Sequence, residues 1–452
     1  MIMSKLLRYG RRQLHTIVSR DIIKPYSPTP PHLKTYNLSL LDQCSPNSYM
    51  PIVVFYPSSN IYPSSIDKTL DLKKSLSQTL TQYYPFAGRL KQYHPTYVDC
   101  NDHGVEFIEA CNDSSMSDFL QQSHHEDFDQ LIPNDLIWFD PNLEGDKDEN
   151  NITCPLAVQV NHFACGGVAV ATSTSHKIGD GRSALNFINK WATVTTQSSS
   201  RDQQESSLIN PHIIRHQARR NTNFLDILSR KSRVGCVTRS FSFTNQKLND
   251  LKAKVTAMTL ESGQPIMNPT RVEVLTWLLH KCAVAAATKT NLGTFKASDM
   301  TFPIDMRNVL VEKLHGTTLG NPLMMIHFPT SNQIELAPNT VIHKLRSMKI
   351  QLQSISNLEV LTSIIADMPF ETALEMSRRI YESYVYTSLC RFPAYGIDFG
   401  WGKPVKLTIG GTVMNTTILL DTPNDDGIEA IVCLEKEDMK AFQNDPDLVA
   451  FC

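Results

Sequence analysis

Long apolar runs are missing from this chain of 452 residues, so no segment of it reads as a bilayer span. An excess of basic residues is missing too: 43 Lys and Arg stand against 45 Asp and Glu, a formal net charge of −2, which leaves no footprint for nucleic acid. The 10 cysteines include no C-x-x-C pair and are scattered from Cys44 to Cys452. That argues against a disulfide frame or a zinc site and for reduced, mostly buried thiols in a cytoplasmic protein. There is no G-x-S-x-G elbow to present a serine nucleophile and no short-period repeat. Sequons at Asn37, Asn112, Asn151 and Asn415 carry no weight without a secretory signal. What is present is ordinary globular material, 41% hydrophobic and 19% charged, in a chain long enough for two large domains.

Residues 1–16 carry Lys5, Arg8, Arg11 and Arg12 without an acid, and are expected to form a frayed extension on a cytosolic enzyme, organellar targeting being the alternative. Order is expected from Ile17. Leu72, Leu76 and Leu80 recur at helical spacing from Ser65 onward, and Pro85 ends that helix. The runs Tyr97–Cys100 and Val105–Ala110 read as a hairpin turning through Asn101-Asp102-His103-Gly104. His124-His125-Glu126 lacks a third ligand at a fixed spacing, so no metal site is expected.

A second hairpin, Leu156–Val160 and Gly167–Ala171, turns at Cys165-Gly166-Gly167 and delivers His176. Ala184, Leu185, Ile188, Trp191 and Ala192 then mark one face of a helix. From Thr195 to Ser207 apolar residues vanish, which places a crossover linker at 195–220 between domains at 17–194 and 221–452. In the second half, Thr270 and Glu273 form a capping box, and both halves mix strands with helices.

The densest candidate site is Ser175-His176-Lys177-Ile178-Gly179-Asp180-Gly181. An imidazole stands where a strand ends and glycines let a ligand approach, and its ordinary pKa of about 6.5 suits proton transfer near neutral pH. Asp180 precedes the helix and reads as its N-cap. The other dense motif, Asp398-Phe399-Gly400-Trp401-Gly402-Lys403-Pro404, is not a phosphate loop, because Ile397 stands where glycine is needed and Pro404 where Ser or Thr is needed. It reads as a rigid turn packing two aromatic rings.

Together, the H-x-x-x-D-G run at His176 to Gly181 and the D-F-G-W-G run at Asp398 to Gly402 resemble the paired signatures of the plant BAHD acyltransferases. The similarity runs from about Ile17 to the C-terminus, through Tyr84–Leu90, Cys165-Gly166-Gly167, Thr270-Arg271-Val272-Glu273 and Gly320-Asn321, and is strongest to members that acetylate alkaloids. It implies a mixed α/β protein of two chloramphenicol-acetyltransferase-like domains with a channel between them. It implies acyl-CoA, acetyl-CoA in the first place, as co-substrate, no permanently bound cofactor, a small-molecule acceptor alcohol, and a monomer. By the same resemblance His176 is the catalytic base; Asp180 points away from the channel and pairs with Arg271; Gly181, Asp398, Gly400, Trp401 and Gly402 support the site. Asn321 and Ser388 are candidates for the coenzyme A side. One departure is Ser388-Leu389 where relatives often carry Ser-Trp, which leaves a roomier channel wall. The rival readings are the same reaction on an acyl sugar, terpenoid alcohol or amine with a longer acyl-CoA, and a relative that binds acyl-CoA without turnover.

Overall fold

The structure, a computed structural model, describes residues 15–58, 65–91, 96–133, 152–199, 212–213, 235–369, 372, 375 and 383–452. The strands of its two large sheets are, in chain order, β1 (His15–Ile23), β2 (Tyr49–Tyr56), β3 (Val105–Asn112), β4 (Leu156–Phe163), β5 (Val168–Ser175), β6 (Cys236–Thr244), β7 (Ser298–Asp305), β8 (Leu323–Thr330), β9 (Tyr384–Ser388), β10 (Lys406–Ile409), β11 (Thr416–Asp421) and β12 (Gly427–Glu435). The helices that matter for the site are α1 (Leu40–Cys44), α2 (Ser65–Gln82), α3 (Gly181–Ser199) and α4 (Arg271–Thr290).

Both sheets have six strands, the first in the order β1-β3-β4-β5-β2-β10 and the second β6-β12-β11-β9-β7-β8. Each mixes parallel and antiparallel pairs, since β3 runs parallel to β4 and β9 parallel to both β7 and β11. The fold class is therefore the mixed α/β one expected. Strand β5 shows how the first sheet is made. Val168 and Val170 face one core while Ala169 and Ala171 face another, so both sides of the strand are buried and it carries no solvent-facing polar alternation. Leu72, Leu76 and Leu80 of α2 sit on the first side, fully buried, against α3. There Trp191 donates its indole N–H to the Leu72 carbonyl at 3.2 Å and to Ser75 Oγ at 3.0 Å. The second sheet has its own core, built around α4.

Several expectations need correction. The runs Tyr97–Asp99 and β3 are not a hairpin: the first pairs with Thr35–Asn37 and Arg89–Lys91 in a small four-stranded sheet, while β3 lies between β1 and β4. Helix α3 continues to Ser199, past the expected linker start at Thr195. The cause is buried polar bonding: Thr195 Oγ1 meets Ser75 Oγ at 2.8 Å and bonds the Trp191 carbonyl at 2.9 Å, so a residue without apolar character is still held in the core. The remainder of that linker, apart from 212–213, lies outside the described residues. The thiols are not mostly buried, since Cys111, Cys165 and Cys452 are exposed and only Cys100, Cys282 and Cys433 fully covered.

Strand β10 also belongs, by pairing, to the first sheet. It runs antiparallel to β2, with Leu407 opposite Val54. The Asp398 motif goes with it: Trp401 packs on Tyr56 with ring centroids 5.3 Å apart and Phe399 on Trp191 at 5.0 Å, all within the first core. Burying two such rings is worth about 1.5–3 kcal/mol each for a side chain of this size. That is reason enough for the chain to cross back from the second half.

Candidate active site

Between Gly167 and Asp180 every residue is buried except His176, which keeps accessible surface. It sits one residue beyond the end of β5, its backbone N–H bonded to the Ser48 carbonyl at 2.8 Å. The imidazole Nδ1 lies 3.0 Å from Asn321 Oδ1. The amide of Asn321 cannot be turned round, because its Nδ2 donates to Asp42 Oδ1 at 2.9 Å and to the His176 carbonyl at 2.8 Å, both acceptors. Oδ1 therefore faces the ring, Nδ1 carries the proton, and Nε2 is the basic nitrogen. Burial, the largest influence, pushes this imidazole below its usual 6.5, against the upward pull of Asp180 and Asn321. A neutral ring whose basic nitrogen is Nε2 has the form that a general base needs.

The next residue fixes the turn. Lys177 donates Nζ to the carbonyls of Gln43 at 2.9 Å and Ser45 at 2.6 Å, and is itself buried. Helix α1, which contains Gln43 and ends just before Ser45, carries a capping box between Ser39 and Asp42, and its Leu41 reaches into a cluster of the second half with Met306, Leu310, Ile355 and Leu361. A five-residue helix too short to stand alone is thus held by ligands at both ends.

Asp180 caps α3 as expected, accepting from the Ser183 N–H at 2.9 Å. Its ion partner is different. Arg307, not Arg271, grips the carboxylate in a fork, Nη1 to Oδ2 at 2.6 Å and Nη2 to Oδ1 at 3.1 Å. Arg307 has no exposed side chain and also donates to Asp305 and to the carbonyls of Thr318 and Gly320. Burial opposes its charge, but Asp180 and Asp305 outweigh that and raise its pKa. Arg271 instead begins α4 and points to the β11–β12 turn, 2.8 Å from Asn245 Oδ1 and 3.6 Å from Asp421. Its capping box, Thr270 with Glu273, is formed as the sequence suggested, which shows that a correct local reading need not give the long-range partner.

The remaining expected residues fall on different sides of the site. Gly181 leaves room for Leu389, whose Cδ2 would stand 2.9 Å from a Cβ there. Asn321, expected toward coenzyme A, is buried and bonded to His176. It follows Gly320, which holds φ at +130°, a value that favours glycine, with the Asp42 carboxylate 3.3 Å from where a Cβ would be. Ser388 ends β9 and accepts from the Cys390 N–H at 3.3 Å. Asp398 turns inward on its own loop, its Oδ1 accepting from Gly400 N–H at 2.7 Å and Gly402 N–H at 2.9 Å. Among the described residues no group of three His, Cys, Asp or Glu side chains could hold a metal ion, and no helix is long and apolar enough to cross a membrane.

An imidazole of fixed tautomer, resting on a residue of the other sheet's half, suits a two-domain acyltransferase. The chain belongs to the transferase family of BAHD acyltransferases, whose family model matches residues 15–449. It is 34% identical over 442 residues, 96% of this chain and 90% of the relative, to the 17,18-epoxy-17-hydroxycur-19-ene N-malonyltransferase of Strychnos nux-vomica. Vinorine synthase has the same fold, with a TM-score of 0.72, 25% identity, and coverage of 95% of this chain and 96% of that one. The fold extends to F. sporotrichioides TRI101 complexed with coenzyme A and T-2, at TM-score 0.69 and 16% identity over 92% and 98% of the two chains. The protein is an acyltransferase.

Proposed function

We propose that the protein transfers an acyl group, acetyl in the first place, from acyl-CoA to a hydroxyl of a plant specialised metabolite such as an alkaloid. His176 Nε2 removes the hydroxyl proton as the oxygen attacks the thioester carbonyl. The tetrahedral intermediate collapses, the carbon–sulfur bond breaks, and the imidazolium returns its proton to the departing thiolate. Both substrates are held together, so no acyl-enzyme forms. The observation that carries this reading is the tautomer fixed by Asn321, which leaves Nε2 as the basic nitrogen.

The supporting relatives share the family and differ in acceptor. The malonyl-transferring relative acts, by its name, on nitrogen, which keeps an amine acceptor and a longer donor as the second reading. We place the protein in the cytoplasm as a monomer, with the crossover between its halves beginning after Ser199 rather than at Thr195.

The test is continuous detection of free thiol from purified protein given acetyl-CoA and pooled alkaloid, terpenoid and sugar alcohols, with amines in a separate pool. Thiol release that requires an alcohol supports the reading. Release only with the amine pool, or only with another acyl-CoA, replaces it with the second; no release with any donor while acetyl-CoA still binds leaves a binder without turnover.

A further inference from the structure

We infer that Asp42 is a positioning residue for His176: acting through Asn321, it selects the tautomer in which Nε2 is the base. This rests on the acyltransferase reading above. The Asp42 carboxylate is fully buried, and donors of Ser39 and of Asn321 meet it on different oxygens. Oδ2 takes the Ser39 N–H at 3.0 Å and hydroxyl at 2.6 Å. Oδ1 takes the Asn321 N–H at 2.8 Å and Nδ2 at 2.9 Å.

A capping box needs only the Ser39 side of that carboxylate. The other oxygen is committed to a residue 279 positions away, in the opposite half of the molecule, whose only side-chain acceptor is spent on the catalytic ring. An ionised carboxylate can only accept, so together with the His176 carbonyl it holds the Asn321 NH2 on its own side and turns Oδ1 to the imidazole. The orientation is relayed in one step: carboxylate to amide, amide to ring. Leu41, the neighbour of Asp42, is buried in the second half's cluster, and Lys177 ties down the carbonyls at the other end of α1. The relay is therefore assembled only when the two halves are docked, which links the basicity of Nε2 to their closure.

Replacing the carboxylate by an amide of the same shape tests this. In Asp42→Asn one oxygen becomes NH2 and confronts two donors. If that NH2 faces Asn321, it drives the Asn321 amide to turn over against the bond that Nδ2 makes to the His176 carbonyl; once turned, Nδ2 points at the ring and Nδ1 must accept. The proton moves to Nε2 and the base is lost. The expected result is a fall in kcat of at least 10-fold and up to about 10²-fold, the scale of a misplaced catalytic group, with KM for acetyl-CoA unchanged. Nitrogen-15 spectra of the His176 ring should show the proton on Nδ1 in the wild type and on Nε2 in the variant. Thr270→Ala is the control, since it removes a capping box of the same kind at α4, away from the ring, and lowers the melting temperature but leaves ring and kcat alone. If Asp42→Asn does not fold, Asp42→Glu carries the same test, because it keeps the charge and displaces the acceptor. A variant with wild-type kcat, or one whose kcat falls while Nδ1 keeps its proton, overturns the inference. The ring spectrum needs no substrate, so a wild type without transferase activity would overturn the functional reading and leave this one to be judged by its own measurement.

Discussion

Replacing Arg307 by Met should unfold the protein more easily than any change at Arg271. Arg307 is wholly buried and joined to Asp180 at 2.6 Å and Asp305 at 3.0 Å, and removing one partner of such a pair strands the other's charge away from water. The stranded group is Asp180, because Asp305 keeps Arg182 at 2.6 Å whereas among the described residues the Asp180 carboxylate retains only the Ser183 N–H of the cap. Breaking a buried pair costs about 3–5 kcal/mol. At about 2–4 °C per kcal/mol for a domain of this size, the melting temperature should fall by roughly 10 °C. Arg271 is a quarter exposed and its carboxylates stand at 3.6 and 3.9 Å, so Arg271→Ala should cost about 1 kcal/mol or less. The measurement is thermal unfolding of both variants with Asp180→Asn and the Asp180→Asn, Arg307→Met double variant. Asn still caps a helix, so the double variant should recover much of the stability that Arg307→Met loses. Equal melting temperatures for Arg271→Ala and Arg307→Met, or no recovery in the double variant, would refute the assignment of the pair.

Stability should decline as the medium is acidified below pH 6.5. Burial lowers the imidazoles of His125, His162 and His176 below that value and His280 to about 3, so the unfolded chain binds protons that the folded chain refuses. The stability is complete above 6.5 and is lost as pH falls toward the folded values; His280 alone should account for about 2 kcal/mol by pH 5, measurable by urea unfolding across that range. Asp398→Ala should cost about 1.5–3 kcal/mol by releasing the Gly400 and Gly402 N–H groups from a charged acceptor, while kcat of the folded fraction stays unchanged. A change in kcat with no change in melting temperature would put Asp398 in the reaction instead.

The sequence made local devices legible and long-range partners not. His176 and the cap at Asp180 were visible because a strand end, a helix start and two glycines occur within a few positions. The capping box at Thr270 was visible for the same reason, while the pairing of Asp180 with Arg271 came from the family resemblance and the fold gives that place to Arg307. Arg307 follows an ordinary strand and carries no pattern; only the fold brings it to Asp180. The box at Ser39-x-x-Asp42 has the spacing that marks a helix start, so α1 could have been found, but the second oxygen of Asp42 points to a residue no periodicity connects with it. Likewise β10 reads as a strand from its sequence, yet its membership of the first sheet depends on where Phe399 and Trp401 find partners.

The central claim is that Nε2 of His176 is the base. The most direct measurement is the turnover of His176→Ala beside the wild type, with acetyl-CoA binding followed by calorimetry on both. The account predicts a kcat lower by about 10²–10⁴, the usual contribution of a general base, with folding and acetyl-CoA binding intact. A His176→Ala protein that binds acetyl-CoA and releases thiol to an acceptor at the wild-type rate would contradict it.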